Sequence, residues 1–267
     1  MTTLSHHTFS DRTVSLRSAV SARPASGFEQ SLAQASLRRI EEKELLFAEG
    51  DEITHVYRIE TGAIALFRVL ADGRRQVMGF AYPGDMIGLG MEEEHEMNAQ
   101  AVKPTRLRCL PVSSVHQTAA KDPMLGFKLY QALARELAAT RDLMLTTGHR
   151  SAIERVAGFL LAFSRRNERN GKDPSTIELP MTRTDIGDFL GLTIETVSRT
   201  FSKFKAMAVI ELPQSNEVKV IDLEALETLA AGDSDPVGRR TTPGNERTPQ
   251  RDPHHVCAQA RSANQGG

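Results

Sequence analysis

The sequence predicts an α+β protein that combines a small N-terminal antiparallel β-barrel or sandwich, one long helix and a C-terminal winged helix-turn-helix. Between residues 40 and 115, short apolar or alternating runs are separated by glycine-containing turns, a pattern typical of antiparallel strands. From Pro123 to Thr147 the apolar spacing is helical. From Thr182 to Leu212 two short helices precede a segment that alternates around a polar turn, which predicts a two-stranded wing.

These patterns divide the chain into five parts. Both ends have little apolar content, which predicts disorder. The parts are a disordered tail over residues 1–34, the β-domain over 35–121, the long helix over 122–149, the winged domain over 150–232 and a second disordered tail over 233–267.

The segment that follows Met181 predicts two short helices joined by a tight turn. Thr182 is suited to cap the first helix, and Asp185 three residues later completes a capping box. Gly191 ends that helix, because glycine readily adopts the left-handed conformation at a helix C-terminus. Thr193 then caps the second helix. Two helices that meet at such a turn form a helix-turn-helix.

The second helix has two different faces. An apolar stripe, expected to pack against the domain, comprises Ile194, Val197, Phe201 and Phe204. A polar stripe about 130° away comprises Glu195, Ser198, Arg199 and Ser202. Carboxylate, hydroxyl and guanidinium groups on such a helix contact base edges in the major groove of DNA. A surface ion pair between Glu195 and Arg199 is the alternative interpretation, and the surrounding turn chemistry favours DNA.

Further residues of the motif are expected to contact the same double-stranded DNA. Lys203 and Lys205 are placed to contact flanking phosphates. The remaining expected contacts are Thr193, Thr196, Ser202 and Arg183. Because the formal net charge of the chain is only −1, its affinity for DNA must come from a local patch.

The stretch DIGDFLGLTIETVSRTFSKF resembles the DNA-binding helices of the Crp/Fnr family of bacterial transcription regulators, above all its FNR and FixK branches. In those branches an E-x-x-S-R pattern recognises TTGAT-type half-sites, and its members here are Glu195, Ser198 and Arg199. Upstream, FAEGD, IETGAIALF and GDMIGLG resemble the jelly-roll sensory domain of the same family, which in some members binds a cyclic nucleotide. The resemblance covers about residues 35 to 230. It implies an activator of genes for low-oxygen life, nitrogen fixation or denitrification, with RNA polymerase as a further partner.

The sequence departs from the cofactor-binding members of this family. Cyclic-nucleotide members carry an arginine that pairs with the cyclic phosphate, whereas this chain offers Glu92, Glu93, Glu94 and Glu96. We interpret the acidic run around His95 as a solvated loop and not as a metal site. Residues 1–30 contain none of the clustered cysteines that hold the iron–sulfur cluster of FNR. No cofactor and no metal is therefore expected.

The two cysteines, Cys109 and Cys257, are far apart and form no C-x-x-C pattern, which fits a reducing cytoplasm. Cys109 lies in a predicted strand on the side opposite Arg106 and Arg108, so we expect a buried apolar side chain. It also falls where FNR has its one cluster ligand outside the N-terminus, which makes a redox-sensitive role the alternative. One thiolate cannot hold a cluster alone.

The long helix is predicted to begin at Pro123, after Asp122 as its N-cap. Residues at a and d spacing along it are Tyr130, Leu133, Leu137, Thr140 and Met144. That spacing is typical of a two-stranded seam and equally of a helix that faces its own core. The family resemblance favours a homodimer, because members pair through this helix and so place two recognition helices about 34 Å apart on an inverted repeat.

Several other classes of protein are disfavoured by the sequence. No apolar run approaches the roughly 18 residues needed to span a membrane. The chain contains no P-loop, H-E-x-x-H or G-x-S-x-G motif, so we predict that it is not an enzyme. The remaining alternative is an effector-gated regulator of the same fold, with haem or another small ligand inside the barrel.

Overall fold

The computed structural model describes residues 32–90, 93–122, 126–127, 130, 133–134 and 150–232. Its strands are β1 (Ser36–Ile40), β2 (Leu45–Phe47), β3 (His55–Val69), β4 (Arg75–Ala81), β5 (Met86–Ile87), β6 (Asn98–Pro111), β7 (Thr176–Glu178), β8 (Ile210–Gln214) and β9 (Glu217–Val220). The helices with described bounds are α1 (Val112–Lys121), α2 (Ala152–Arg169), α3 (Arg183–Leu190), α4 (Ile194–Ala206) and α5 (Leu223–Ala231). This element order confirms the predicted α+β class.

The N-terminal domain is one antiparallel, jelly-roll-like sheet. Its strands run in the order β1-β6-β3-β4, with β2 paired to β6 and β5 paired to β3. Register shifts between Ile59 and Ile64 interrupt the long ladder between β3 and β6, and such bulges bend a sheet. The sheet does not close into the predicted barrel: in the described part of the chain, β4 pairs only with β3, and it also contacts α3.

The interior of this sheet is filled by apolar side chains. The buried cluster comprises Ile40, Leu46, Phe47, Tyr57, Ile59, Ile64, Ala81, Ile87, Ala99, Ala101, Leu107 and Cys109. Cys109 is 8% exposed, and burial raises the pKa of its thiol. It is thus a buried side chain, as its alternation with the arginines of β6 predicts.

The acidic segment that precedes β6 is not solvated throughout, contrary to our interpretation of the sequence. Glu93, Glu94 and Glu96 are exposed, but His95 is buried. Its ring stacks on Phe47, with the two ring centroids 3.6 Å apart, and burial lowers the pKa of this imidazole. A neutral, flat ring packs well on an aromatic face, and this long-range contact has no signature in the charge pattern of the segment.

The C-terminal domain consists of α2, the helix pair α3 and α4, the sheet β7-β9-β8 and α5. The predicted wing is confirmed as the antiparallel hairpin β8–β9, which turns at Ser215 and Asn216. Helices α1 and α5 were not predicted. Helix α2 packs on the α3–α4 pair, since its residues Val156, Phe159 and Leu160 are buried in the same core as α3 and α4.

One hydrophobic cluster joins residues of β3 and β4 to the winged domain. Phe80 of β4 lies 5.5 Å from Phe189 of α3, measured between ring centroids. Tyr82 makes an edge contact with Phe163 of α2 at 5.8 Å, and the guanidinium of Arg166 lies over the same tyrosine ring at 3.6 Å. The β-domain thus packs directly on the helices of the winged domain.

Only part of the predicted long helix lies within the described residues. Helical backbone is described at positions 126, 127, 130, 133 and 134. The predicted seam residues Tyr130 and Leu133 are 67% and 57% exposed, and Phe127 is 54% exposed. Leu137, Thr140 and Met144 lie outside the described residues.

Of the predicted tails, only residues 32–34 are described, and they are helical. Leu32 is buried in a small cluster with Val56, Leu110 and Val115, whereas Cys257 falls outside the described residues. Among the helices that the structure describes, none has the length and apolar content that crossing a membrane requires.

Candidate nucleic-acid interface

The first helix of the predicted motif, α3, begins and ends as its sequence indicates. The Thr182 hydroxyl accepts a hydrogen bond from the Asp185 backbone N–H at 3.1 Å, and the Asp185 carboxylate accepts one from the Thr182 N–H at 3.0 Å. Both halves of the capping box are therefore formed. Gly191 ends the helix with φ at +66°, a left-handed conformation in which a side chain would be strained.

The turn between α3 and α4 depends on a close backbone approach. The Leu192 N–H donates to the Gly187 carbonyl at 2.9 Å. A Cβ atom on Gly187 would lie only 2.7 Å from the carbonyl oxygen of Leu192. Thr193 then caps α4, since its hydroxyl accepts a hydrogen bond from the Thr196 N–H at 3.2 Å. The angle between the two helices is consequently fixed by backbone contacts.

The buried face of α4 differs from the predicted stripe at one position. Val197, Phe201 and Phe204 are buried as predicted, but Ile194 is 44% exposed. Ile194 is the first residue of the helix and lies beyond the edge of the core. Thr200, which is outside the predicted stripe, is also buried; its hydroxyl donates to the Thr196 carbonyl at 2.8 Å and so does not lose a hydrogen bond on burial.

The opposite face of α4 is polar and accessible. Its exposed side chains, which include all four residues of the predicted polar stripe, are Thr193, Glu195, Ser198, Arg199, Ser202, Lys203 and Lys205. Thr196 is half-buried beside them. The structure therefore brings the predicted contact residues of this helix together on one surface, with the side chains presented to solvent.

Local groups set the ionisation of Glu195. A hydrogen bond with its own backbone N–H is the largest cause that lowers the pKa of this carboxyl, followed by a hydrogen bond with the Thr193 side chain. The charge of Arg199 contributes least to this lowering of the pKa. The charge of Arg199 is therefore not the main cause of the lowered pKa, and both side chains are exposed to solvent.

Arg183 occupies a different position from the other predicted contacts. Its guanidinium lies over the ring of Phe201, 3.7 Å from the centroid, and burial lowers its pKa. The side chain is half-buried and connects α3 to α4. Cation–π stacking of this kind stabilises the helix pair.

Sequence analysis missed the role of Arg155. From α2, its Nη1 donates to the carbonyl of Leu190 at 3.0 Å, and its Nε donates to the carbonyl of Arg150 at 3.0 Å. The carbonyl of Leu190 belongs to the last turn of α3, where backbone acceptors lack partners within the helix. No local pattern could have indicated this contact, because the partners are 35 residues apart.

Helix α4 is capped at its N-terminus, exposes carboxylate, hydroxyl and guanidinium groups on one face, and is followed by a two-stranded wing. Such a helix is suited to enter the major groove of DNA. The fold and this face define a DNA-binding transcription regulator of the winged helix-turn-helix class. Comparisons with known proteins agree: residues 154–229 match the Crp-like helix-turn-helix domain, and residues 37–122 match the cyclic nucleotide-binding domain. The chain belongs to the Crp/Fnr family of bacterial transcription regulators, of the FNR and FixK type, and is not an enzyme.

Its relatives include two regulators of similar length. The nitrogen fixation regulation protein FixK of Bradyrhizobium diazoefficiens is 37% identical over 188 residues, which cover 70% of this chain and 79% of that protein. The transcriptional activator protein FnrA of Stutzerimonas stutzeri is 34% identical over 200 residues, 74% of this chain and 82% of that protein. The structure of FixK2 from Bradyrhizobium japonicum superposes with a TM-score of 0.69 at 35% identity, covering 73% of this chain and 96% of that one.

The β-domain does not suit the ligand for which its domain family is named. A cyclic phosphate inside the sheet would need a cation, usually an arginine. The buried polar residues of the described ranges are Asp85, His95, Thr105, Ser164 and Thr200, none of which is a permanent cation. Apolar side chains fill the interior, so the residues present do not fit a cyclic nucleotide.

The close approach at Gly187 generates a stability prediction. Gly187→Ala should lower the free energy of unfolding by about 2 kcal/mol, because overpacking against a backbone carbonyl costs up to about 3 kcal/mol and the better helix propensity of alanine returns about 1 kcal/mol. Urea unfolding of the full chain measures this change. The matched control is Gly79→Ala in β4, where the new Cβ would meet nothing within 4 Å. Equal midpoints for the two variants would contradict the assigned role of the turn.

Proposed function

We propose that the protein is a homodimeric activator that binds inverted TTGAT-type repeats and controls genes for low-oxygen life, nitrogen fixation or denitrification. The observation that carries this proposal is the exposed surface of α4 on which Glu195, Ser198 and Arg199 stand together. Their spacing matches the pattern that the FNR and FixK branches use. The names of the relatives, a nitrogen fixation regulator and a transcriptional activator, support the same role.

Each group on this surface suits a particular base. The guanidinium of Arg199 can donate two hydrogen bonds to O6 and N7 of guanine, and the carboxylate of Glu195 can accept from the amino group of cytosine. The Ser198 hydroxyl can either donate a hydrogen bond to a base or accept one from it. Ile194 adds a contact that the sequence did not suggest, because its exposed apolar side chain is suited to the methyl group of thymine.

Phosphate contacts would fix the position of this helix on the duplex. Lys203 and Lys205 are exposed at the C-terminal end of α4, where their charges can neutralise phosphates without regard to sequence. Thr193, Thr196 and Ser202 add hydroxyl donors near the same surface. Arg183 can contribute only from the edge of the helix pair, since it is half-buried over Phe201.

The proposed dimer rests on the long helix. Phe127, Tyr130 and Leu133 are more than half exposed in the single chain, and large apolar side chains that recur on one helix favour burial against a partner. A second copy is the expected partner because an inverted DNA repeat requires two-fold symmetry. Leu137, Thr140 and Met144 would continue this seam.

The mode of activation follows from the family. An activator of this type acts in the cytoplasm and contacts RNA polymerase once it is bound beside a promoter. The effector-gated alternative is not favoured, because the interior of the sheet is packed. Direct oxidation of Cys109 is not favoured either, since burial raises the pKa of its thiol and the thiolate is the reactive form.

The face of α4 predicts different effects for two substitutions. Arg199→Ala should reduce the preference for the correct guanine pair by about 1 to 3 kcal/mol. Lys203→Ala should weaken specific and non-specific binding alike and reduce the slope of log K against log salt by about one. Titrations on a TTGAT repeat and on a scrambled duplex at several salt concentrations separate the two. An unchanged ratio of specific to non-specific affinity in Arg199→Ala would show that the face has been assigned wrongly.

DNA binding should require neither an iron–sulfur cluster nor a cyclic nucleotide. Protein that is purified in air and is colourless should shift an inverted TTGAT repeat, because the described residues include no buried arginine or lysine inside the β-domain and no group of metal ligands. Added cyclic AMP should leave the affinity unchanged. Binding that depends on anaerobic cluster reconstitution or on the nucleotide would refute this prediction.

Dimerisation should carry most of the DNA affinity. Leu133→Glu would place two like charges opposite one another in the seam, and desolvating them without partners costs several kcal/mol. The variant should be a folded monomer that binds the full repeat no better than a half-site, because two linked modules pay the entropy of association only once. Sedimentation and titration on both duplexes measure this. Leu133→Met is the control and should remain dimeric; a dimeric Leu133→Glu protein would place the interface elsewhere.

A further inference from the structure

A polar contact joins the β-domain to the first helix of the helix-turn-helix. Nη1 of Arg75, the first residue of β4, lies 2.7 Å from Oδ1 of Asp185 and 3.1 Å from Oδ2 of Asp188. Beside it, Nε2 of Gln76 donates to the backbone carbonyl of Asp188 at 2.7 Å. Two neighbouring residues of β4 therefore make three hydrogen bonds to α3, across more than 100 residues of sequence.

The surroundings of this contact make it stronger than an ordinary surface ion pair. The side chains of Arg75, Asp185 and Asp188 are only 24%, 15% and 25% exposed, so water screens their charges incompletely. The guanidinium also lies 4.3 Å from the centroid of the Phe67 ring, which limits its freedom. Charge-assisted hydrogen bonds in such a setting are stronger than those between neutral groups.

Both ends of the contact are firmly held. Arg75 pairs with Val69 within the β3–β4 ladder. Asp185 also completes the capping box of α3. Burial alone would raise the pKa of Asp185, but its hydrogen bonds with Thr182 and Arg75 lower it, which keeps the carboxylate charged. Because Arg75 and Asp185 are each held by their own element, the bond between them links the orientation of the winged domain to that of the β-domain.

The contact leaves the DNA-binding surface free. Glu195, Ser198 and Arg199 are exposed while α3 is docked on β4. The docked arrangement is therefore compatible with DNA binding. An inverted repeat presents its two half-sites at one separation and one rotation, so a dimer gains affinity from the second half-site only if each helix pair has a defined orientation.

We propose that Arg75 is a positioning residue for DNA binding: by holding Asp185 and Asp188, it sets the orientation of the helix-turn-helix on the β-domain and thereby the half-site spacing that the dimer accepts. The DNA part of this inference rests on the function proposed above. Arg75 itself contacts no base in this scheme. Loss of its side chain should consequently relax the choice of spacing and leave the affinity for a single half-site unchanged.

Two sets of variants isolate the contact. Arg75→Gln and Asp188→Asn each remove one charge, and the exchange of charges in Arg75→Asp with Asp188→Arg should restore the pair. Asp185 is left intact because it also caps α3. The matched control is Arg74→Gln, since Arg74 is 77% exposed and pairs with Asp72 two residues away.

The first measurement is titration of three duplexes: the inverted TTGAT repeat, the same repeat with one base pair inserted between the half-sites, and a single half-site. The insertion rotates the half-sites by about 34° relative to each other. We expect it to weaken binding by the wild-type protein and by Arg74→Gln about tenfold or more, and by Arg75→Gln about threefold or less. The variant with exchanged charges should again bind the repeat with the inserted base pair about tenfold more weakly than the normal repeat. The proposal would be overturned if Arg75→Gln discriminated between the two spacings as strongly as the wild-type protein does. It would also be overturned if this variant lost as much affinity for the single half-site as for the full repeat.

The second measurement does not depend on DNA. Spin labels at Glu42 and Glu224, both exposed, report the distance between the two domains in the full chain with Cys109 and Cys257 replaced by alanine. Arg75→Gln should broaden the distance distribution, whereas Arg74→Gln should not. An unchanged distribution in Arg75→Gln would overturn the proposal even if the spacing data agreed. Failure of the wild-type protein to prefer the full repeat would count against the proposed function alone, and the distance distributions would still decide whether Arg75 holds the domains together.

Discussion

The approach of the Leu192 carbonyl to Gly187 is the constraint on which the DNA-binding surface depends. This contact admits no side chain at position 187, and it sets the direction in which α4 leaves α3. The capping groups of Thr182 and Thr193 then satisfy the backbone donors that the two helix starts expose. The face of α4 is thus oriented by backbone geometry, which leaves its exposed side chains free for recognition.

A second constraint is the shared core. Phe80 of β4 packs on α3, and Tyr82, the residue after β4, packs on α2. Arg155 and Arg75 fix polar groups at either end of α3. Helix α3 therefore contacts three other elements and has little freedom of its own. The surface that faces DNA and the sheet of the β-domain consequently behave as parts of one packed body.

Features with local causes could be predicted from the sequence. The capping box at Thr182, the helix end at Gly191 and the wing hairpin all follow from residues within a few positions of one another, and each appears in the structure. Features set by contacts between distant residues could not be predicted from the sequence. The exposure of Ile194 depends on where the core ends, the burial of His95 depends on Phe47, and the contacts of Arg75 cross the domain boundary. The open sheet belongs to the same group, because the contacts between β4 and α3 join residues more than 100 positions apart.

The contact between β4 and the winged domain has a consequence for how the chain can be divided. In the described structure, β4 has a pairing strand on one side only, and the residues that face α2 and α3 include Phe80 and Tyr82. A fragment that ended before α2 would expose an unpaired strand together with an aromatic surface, the combination that templates strand addition between molecules. The winged domain thus buries an aromatic surface that the β-domain alone would expose to solvent.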